Sequence, residues 1–201
     1  MNPLTVVLNA AVQAADWHTA QRRKGAAQEP YVNHLLDVAC LVAEATGGED
    51  VNLVVAALLH DAIEDQQIAP AVIAEAFGED VAALVLEVTD DKALPKPQRK
   101  RLQVEHAPHA SPRAALLKLA DKTSNLNALA SSPPAEWPEQ RRLDYVQWAR
   151  DVAAGLQVTN AWLRQRFEIA ANAAERSARS GWEPDLDVTM NANAHSGAQQ
   201  D

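Results

Sequence analysis

The segment LVVAALLHDAIED is the feature that most constrains the fold of this 201-residue chain. Residues 53–59 are apolar on every face of a helix, so other elements must cover this helix and it must lie at the centre of the molecule. Polar side chains follow at once. On a helix, Glu64 lies one turn beyond His60. Asp65 likewise lies one turn beyond Asp61, so the sequence predicts a polar, mostly acidic cluster at the end of a buried helix.

The acidic cluster conflicts with the electrostatics of a helix terminus. A helix C-terminus carries partial negative charge, so three carboxylates there repel that charge and one another. A bound cation would remove the conflict. The alternative is a set of solvated caps beyond a buried segment, which would be the simpler interpretation without the seven apolar residues that come directly before it.

Two further side chains complete a candidate metal site. His34 lies near the start of a helix in EPYVNHLL, and Asp121 follows the apolar run ALLKLA. Each alone is a weak indication, because a histidine at a helix start is more often a cap or a satisfied core residue. With His60 and Asp61 they offer two imidazoles and two carboxylates, a set that suits manganese, iron or zinc better than calcium.

Helical periodicity dominates the remaining sequence, and no alternating strand pattern appears. The sequence predicts an all-α bundle of about 8–10 helices in residues 1–176. The segment from Thr89 reads as a loop that feeds another helix, and residues 177–201 are polar and small, as expected of a disordered tail. The other predicted helices cover about 4–15, 31–44, 50–63, 69–77, 80–88, a segment from Pro112, and a long final helix over 139–174.

Composition excludes several classes of protein. A net charge of −9 argues against non-specific nucleic-acid binding. A single cysteine, Cys40, rules out a disulfide within the chain and favours a reducing compartment. The first residues lack the early positive charge of a signal peptide, and no run approaches the roughly 18 apolar residues of a membrane span. We therefore expect a cytoplasmic protein without a membrane partner, and the oligomeric state stays open.

Several segments resemble a known family of metal-dependent hydrolases. The order of His34, His60-Asp61 and Asp121 resembles the HD superfamily of phosphohydrolases. RRKGAAQEPYVNH, AALLHDAIED and LLKLADKTSNL are similar to the hydrolase domain of the Rel/Spo alarmone enzymes. The segments from VTDDK to HASP and EQRRLDYVQWARDVAAGLQVTN resemble the small stand-alone hydrolases of the metazoan SpoT-homologue type. The similarity runs from about residue 18 to residue 162.

The resemblance implies an HD-superfamily helical bundle that binds one Mn²⁺ per chain. It implies hydrolysis of the 3′-pyrophosphate of guanosine tetraphosphate or pentaphosphate, giving GDP or GTP and pyrophosphate. The implied metal ligands are His34, His60, Asp61 and Asp121. The residues implied to position and activate water are Glu64 and Asp65. The implied substrate contacts, from the base to the phosphates, are Arg23, Lys24, Asn125, Lys96, Arg141 and Tyr145.

Three departures from the family pattern bear on this expectation. Leu35 stands where the family has proline, Asn127 where it has arginine, and Thr123-Ser124 replaces a bulkier pair. None is an implied metal ligand. The changes at residues 123, 124 and 127 put the substrate preference in doubt more than hydrolysis itself.

Other interpretations remain open at this point. The cationic run 92–101 also fits a solvated helix face, and Tyr145 also fits a core position. The function could be that of a related nucleotide phosphohydrolase such as an NADPH 2′-phosphatase, a non-catalytic nucleotide sensor, or a helical interaction module. Glu64 and Asp65 argue against a sensor, because a pure binder does not need them. The uncompensated acidic cluster argues against an interaction module.

Overall fold

The computed structural model describes residues 2–180, and within them the chain is helical. Ten α-helices and one turn of 3-10 helix form, with an isolated bridge between Arg22 and Pro30 as the only β-pairing in this part of the chain. The all-α prediction is confirmed. The helices are α1 (Pro3–Trp17), α2 (Val32–Thr46), α3 (Val51–Leu59), α4 (Ala62–Gln66), α5 (Pro70–Phe77), α6 (Glu79–Val88), α7 (Lys96–His106), the 3-10 turn (Ala107–His109), α8 (Pro112–Ser131), α9 (Glu139–Gly155) and α10 (Ala161–Ser180).

Helix α3 lies at the centre of the bundle, as the sequence predicts. None of residues 53–59 is more than 7% exposed, and α1, α2 and α6 pack around them. The Asp50 carboxylate begins the helix by accepting a hydrogen bond from the Leu53 amide at 3.0 Å. Arg113 of α8 forms an ion pair with Asp50 at 2.9 Å. The start of the central helix is therefore tied to a second long helix.

The end of α3 differs from the prediction of a helix that continues to residue 63. The helix stops at Leu59, His60 and Asp61 form a turn, and α4 begins at Ala62. An uninterrupted helix would use the Ala57 carbonyl for the Asp61 amide. That carbonyl instead accepts a hydrogen bond from the His60 ring at 2.8 Å. The histidine side chain therefore competes with the helix for its last acceptor.

The predicted long final helix is two helices, α9 and α10. The chain turns after Gly155, where an added Cβ would lie 2.9 Å from the Ala107 Cβ, so a larger residue would not fit there. Asn160 then caps α10, because its side-chain oxygen accepts a hydrogen bond from the Leu163 amide at 2.8 Å. Apolar periodicity on both sides of the break hides it in the sequence. The break allows α10 to pack along α8.

Helix α7 begins at Lys96, so only the first part of the segment predicted as a loop is a loop. Pro97 lies in the first helical turn, where its missing amide hydrogen costs nothing. None of the residues of α7 is buried, and the helix packs mainly against α9. Its basic side chains are thereby brought to the side of the bundle that holds the end of α3.

Residues 177–180, predicted as the start of a disordered tail, form the last turn of α10. The rest of that predicted tail, 181–201, lies outside the described residues. Within residues 2–180, every helix is too short or too polar to cross a membrane.

The central position of α3 has a measurable consequence for stability. Leu58 is 1% exposed, and we expect Leu58→Ala to lower the free energy of unfolding by about 2–5 kcal/mol, because the truncated side chain leaves a cavity in a close-packed core. Leu86 on α6 is 54% exposed, and Leu86→Ala should change it by less than about 1 kcal/mol. Denaturant titration measures both, and equal changes would contradict the central role of α3.

Candidate active site

A cleft of about 490 Å³ lies beside the end of α3. Five of its carboxylates come from three places in the chain: Asp61, Glu64, Asp65, Asp90 and Asp121. Eight cationic side chains also line it: Arg22, Arg23, Lys24, Lys92, Lys96, Arg99, Lys100 and Lys122. This concentration of positive charge, in a chain whose net charge is −9, favours an anionic ligand.

The four predicted metal ligands meet at the inner end of the cleft. His34, His60 and Asp121 each place one ligand atom within 4.8 Å of the others. The Oδ1 of Asp121 lies 3.3 Å from Nε2 of His34 and 3.8 Å from Nε2 of His60. Asp61 completes the group, with its Oδ2 3.2 Å from Nε2 of His60 and 3.7 Å from Nε2 of His34. Helix α2, the turn after α3, and α8 thus contribute to one centre.

The hydrogen bonds of the two histidines fit metal ligation. Nδ1 of His60 lies 2.8 Å from the Ala57 carbonyl, which can only accept, so Nδ1 carries the proton. Nε2 of His60 is buried and has no hydrogen-bond partner. Nδ1 of His34 likewise contacts the Ser124 hydroxyl at 2.9 Å and leaves Nε2 facing the carboxylates. A buried, unpartnered nitrogen that faces two carboxylates is an environment that a divalent cation would satisfy.

The charges of this centre depend on one another. Burial opposes a charge on His60, yet Asp61 and Asp121 hold the pKa of its imidazole well above the usual value. Burial would also raise the pKa of the Asp61 carboxyl, but the neighbouring His60 holds it below its usual range. For His34, burial dominates and lowers the pKa. The carboxylates therefore need positive charge next to them, which is the property a metal site requires.

Tyr31 and Ser124 support the centre, and the sequence analysis gave neither of them this role. The Tyr31 hydroxyl donates a hydrogen bond to Oδ2 of Asp61 at 2.6 Å, and burial raises the pKa of this tyrosine well above its usual value, so it stays a donor. Ser124 holds the ring of His34. Tyr31 lies three residues before the candidate ligand His34, and Ser124 lies three residues after the candidate ligand Asp121. Residues at this spacing share a helix face, and this was the only sequence feature that could have predicted their roles.

Glu64 lies in the cleft next to the metal group, with both carboxylate oxygens engaged. Its Oε1 lies 3.2 Å from the Arg99 guanidinium, and its Oε2 accepts a hydrogen bond from the Asp90 amide at 3.3 Å. Burial raises the pKa of Glu64, and the nearby Asp61 carboxylate raises it further. A carboxylate with a raised pKa is a stronger base, which suits proton transfer.

Asp65 lies beside Glu64 and is held by two different donors. The Gln21 side chain donates to its Oδ2 at 2.7 Å, and Lys92 forms an ion pair with its Oδ1 at 2.5 Å. The predicted catalytic pair is therefore brought together in the cleft. In the sequence, Lys92 and Arg99 are visible only as members of a charged run, because pairing between distant segments leaves no local pattern.

Two predicted base and ribose contacts are linked to the metal group by hydrogen bonds. The Arg23 guanidinium donates to Oδ1 of Asn125 at 3.1 Å, and the Asn125 amide donates to Oδ1 of Asp121 at 2.6 Å. The loop that carries Arg23 packs closely on the end of α8. At Gly25 an added Cβ would lie 2.2 Å from the Ser132 carbonyl oxygen. Only glycine fits at that contact.

Three of the four remaining predicted contacts line the cleft, and one does not. Lys24, Lys96 and Tyr145 line it. Arg141 does not: it is exposed, and its guanidinium stacks 4.3 Å from the ring centroid of Trp137, which does line the cleft. Arg141 therefore contacts a residue of the cleft wall without lining the cleft itself.

Comparison with known proteins identifies the family. Residues 10–150 match the HD domain model. The chain belongs to the HD domain family. It is 48% identical over 163 residues to the Xenopus tropicalis guanosine-3′,5′-bis(diphosphate) 3′-pyrophosphohydrolase MESH1, covering 81% of this chain and 91% of that protein. The human protein of the same name is 48% identical over 162 residues, covering 81% of this chain and 90% of its own length.

Two further comparisons place this HD domain among proteins connected with SpoT. The bifunctional (p)ppGpp synthase/hydrolase SpoT of Escherichia coli is 37% identical over 127 residues, which are 60% of this chain and 18% of that protein. A solved structure described as a metazoan SpoT ortholog that hydrolyses ppGpp superposes with a TM-score of 0.79 and 41% identity, covering 83% of this chain and 94% of that one. The expected HD-type helical fold is confirmed.

The departures from the HD-family pattern lie away from the cleft wall. Leu35 is fully buried in the core. The Thr123 hydroxyl bonds the Leu119 carbonyl at 2.8 Å, Asn127 is exposed, and neither lines the cleft. Ser124 contacts the ring of His34. These positions therefore do not line the cleft, and their expected bearing on substrate preference stays a prediction.

We expect the purified protein to carry about one divalent transition-metal ion per chain, as a single site of this kind allows. His60→Ala should remove most of it, because the variant loses a nitrogen ligand and leaves the carboxylates of Asp61 and Asp121 without it. His106→Ala, an exposed histidine on α7, is the matched control and should keep the metal. Elemental analysis after dialysis measures the metal content per chain. Undiminished metal in His60→Ala would contradict the assignment of His60 as a ligand.

Proposed function

We propose that this chain hydrolyses the 3′-diphosphate of guanosine tetraphosphate and pentaphosphate, releasing pyrophosphate and leaving GDP or GTP. The observation that carries the proposal is the meeting of a two-histidine, two-aspartate centre with Glu64 and Asp65 in one cleft that eight cations line. Relatives that match this chain over nine-tenths of their length are named for 3′-pyrophosphohydrolase activity. The proposed ligands of one Mn²⁺ are His34, His60, Asp61 and Asp121.

When bound, a divalent ion supplies a Lewis acid for a phosphoryl oxygen and lowers the pKa of water at the site. Glu64 is the group proposed to take the proton from the attacking water. Its two hydrogen-bonded partners, Arg99 and the Asp90 amide, fix the direction of its carboxylate. Asp65, held by Gln21, orients the same water.

The reaction breaks one bond. The oxygen of water adds to the inner phosphorus of the 3′-diphosphate, and the bond from that phosphorus to the ribose 3′ oxygen breaks. The ribose oxygen receives a proton, and the two linked phosphates depart together as pyrophosphate. In this step the chain holds the attacking water and the 3′-diphosphate at fixed positions, which removes much of the entropic barrier.

The choice of the 3′ ester follows from the link between the base-side residues and the metal group. Asn125 bonds both Arg23 and the ligand Asp121, so a nucleoside gripped at Arg23 has its ribose next to the metal centre. At the phosphate side, burial raises the pKa of Tyr145 to about 12, so its hydroxyl stays a donor at neutral pH. Lys96 supplies positive charge nearby.

Product analysis tests the proposed reaction. With guanosine tetraphosphate as substrate, phosphorus NMR should show pyrophosphate and GDP, because one activated water breaks one ester bond per turnover. A phosphatase would release orthophosphate instead, either stepwise from this nucleotide or from the 2′ position of NADPH. Orthophosphate as the sole product, or far faster cleavage of NADPH, would refute the substrate assignment and leave the fold and the metal site standing.

Glu64→Gln tests the proposed base. The substitution keeps the size of the side chain and removes its basicity, so we expect bound metal to be retained and kcat to fall about a hundredfold or more. Glu105→Gln is the matched control: Glu105 is an exposed carboxylate that pairs with Arg101 at 3.2 Å and should leave kcat unchanged. Near-normal turnover of Glu64→Gln would show that another group accepts the proton.

A further inference from the structure

Lys100 lies in the cleft, in a fixed position on the wall formed by α7 and α9. Its ammonium lies 4.5 Å from the ring centroid of Trp148 and 5.2 Å from that of Tyr145. The Trp148 indole donates a hydrogen bond to the backbone carbonyl of Lys100 at 3.0 Å, which joins the lysine to the aromatic wall at both ends. In the sequence, the cationic run that contains Lys100 is also compatible with a solvated helix face. The structure places this member of it half-buried in the cleft.

Within the described part of the chain, Lys100 has no carboxylate partner, unlike three of the other cations that line the cleft. These three are Lys92, Arg99 and Lys122. For Lys100, no carboxylate of residues 2–180 lies within ion-pairing distance. Burial lowers its pKa, and the nearby cations Lys96 and Lys122 lower it further, while Asp144 opposes them. A half-buried cation among cations is unfavourable until an anion lies between them.

The cations of this wall lead from the mouth of the cleft to the metal group. Lys96 is exposed, and Lys100 follows one helical turn later and is half-buried. The ammonium of Lys122 lies 4.9 Å from the ring centroid of Trp148 and 2.8 Å from Oδ2 of Asp121. Lys100 therefore lies between an outer cation and the cation that is paired with a metal-ligand candidate.

We propose that Lys100 binds the outer phosphate of the 3′-diphosphate and so selects a diphosphate ester over a monophosphate ester. The inference rests on the proposed function, in which the inner phosphate lies at the metal group. The outer phosphate is then one P–O–P link away and needs its own cation. Lys100 has no carboxylate partner among residues 2–180 and lines the same cleft as Asp121 and Lys122. A monophosphate ester has no group that would reach it.

The kinetic test compares two nucleotides that differ by one phosphate: guanosine tetraphosphate and guanosine 5′-diphosphate 3′-monophosphate. Lys100→Met keeps an unbranched side chain on Trp148 and removes the charge. It should lower kcat/KM for the tetraphosphate about tenfold or more, the size expected for a lost charged hydrogen bond, and leave the monophosphate ester within about twofold. Lys100→Arg should restore most of the loss. Arg101→Met removes an exposed cation of the same helix and should change neither substrate. Equal losses on both nucleotides, or no loss, would overturn the inference.

A binding measurement separates failure of this inference from failure of the proposed function. Calorimetry with the metal-loaded protein should show pyrophosphate binding weakened about tenfold or more in Lys100→Met, with orthophosphate binding little changed. If the wild-type protein cleaves neither nucleotide, the proposed function fails and this comparison still decides the role of Lys100. Unchanged pyrophosphate binding in the variant, or a wild type that does not prefer pyrophosphate to orthophosphate, would overturn the role.

Discussion

The hydrogen bond from the His60 ring to the Ala57 carbonyl is the interaction on which the site depends. At 2.8 Å it takes an acceptor that α3 would otherwise use, so the helix ends and the chain turns. The same bond fixes the proton on Nδ1, and Nε2 then faces the carboxylates of Asp61 and Asp121. This one hydrogen bond thus ends the central helix, sets the tautomer of His60 and directs its Nε2 toward the candidate metal site. Because α3 is buried on all sides, the turn has little freedom to move, and the ligand geometry inherits the rigidity of the core.

Charge pairing then divides the cleft into parts with different tasks. The acidic groups lie at the end of α3, and the chain's cations are brought to them from α7, α8 and the loop before α2. Arg99 of α7 holds Glu64 of α4, and Lys122 holds the neighbouring Asp121 on α8, so each of these carboxylates is kept in place by a cation. The cations left over face the space where a ligand's phosphates would lie. An acidic protein can therefore present a local anion site without a basic surface.

The sequence reveals those parts of the site in which neighbouring residues form an unusual local pattern. A histidine-aspartate pair after seven apolar residues is visible because buried helices do not normally end in uncompensated carboxylates. His34 and Asp121 were weaker indications on their own, and the resemblance to a known family gave them and the catalytic pair their implied roles. The break between α9 and α10 was missed because the apolar period continues on both sides of Gly155. The support of Asp61 by Tyr31, 30 residues away, and the freedom of Lys100 were missed for a different reason. They depend on which helices become neighbours, and no short window of sequence records that.

Helix α7 has a consequence for how such a protein can change over generations. Four of its side chains line the cleft, yet none of its residues is buried. Substitutions on a surface helix of this kind cost the bundle little stability, whereas the candidate metal ligand His34 on α2 is buried in the core. Mutations can therefore accumulate on α7 and alter which small molecule the cleft prefers, while the candidate metal centre is preserved. The fold thus places the candidate metal centre, which tolerates few substitutions, apart from the cleft-lining residues of α7, which tolerate more.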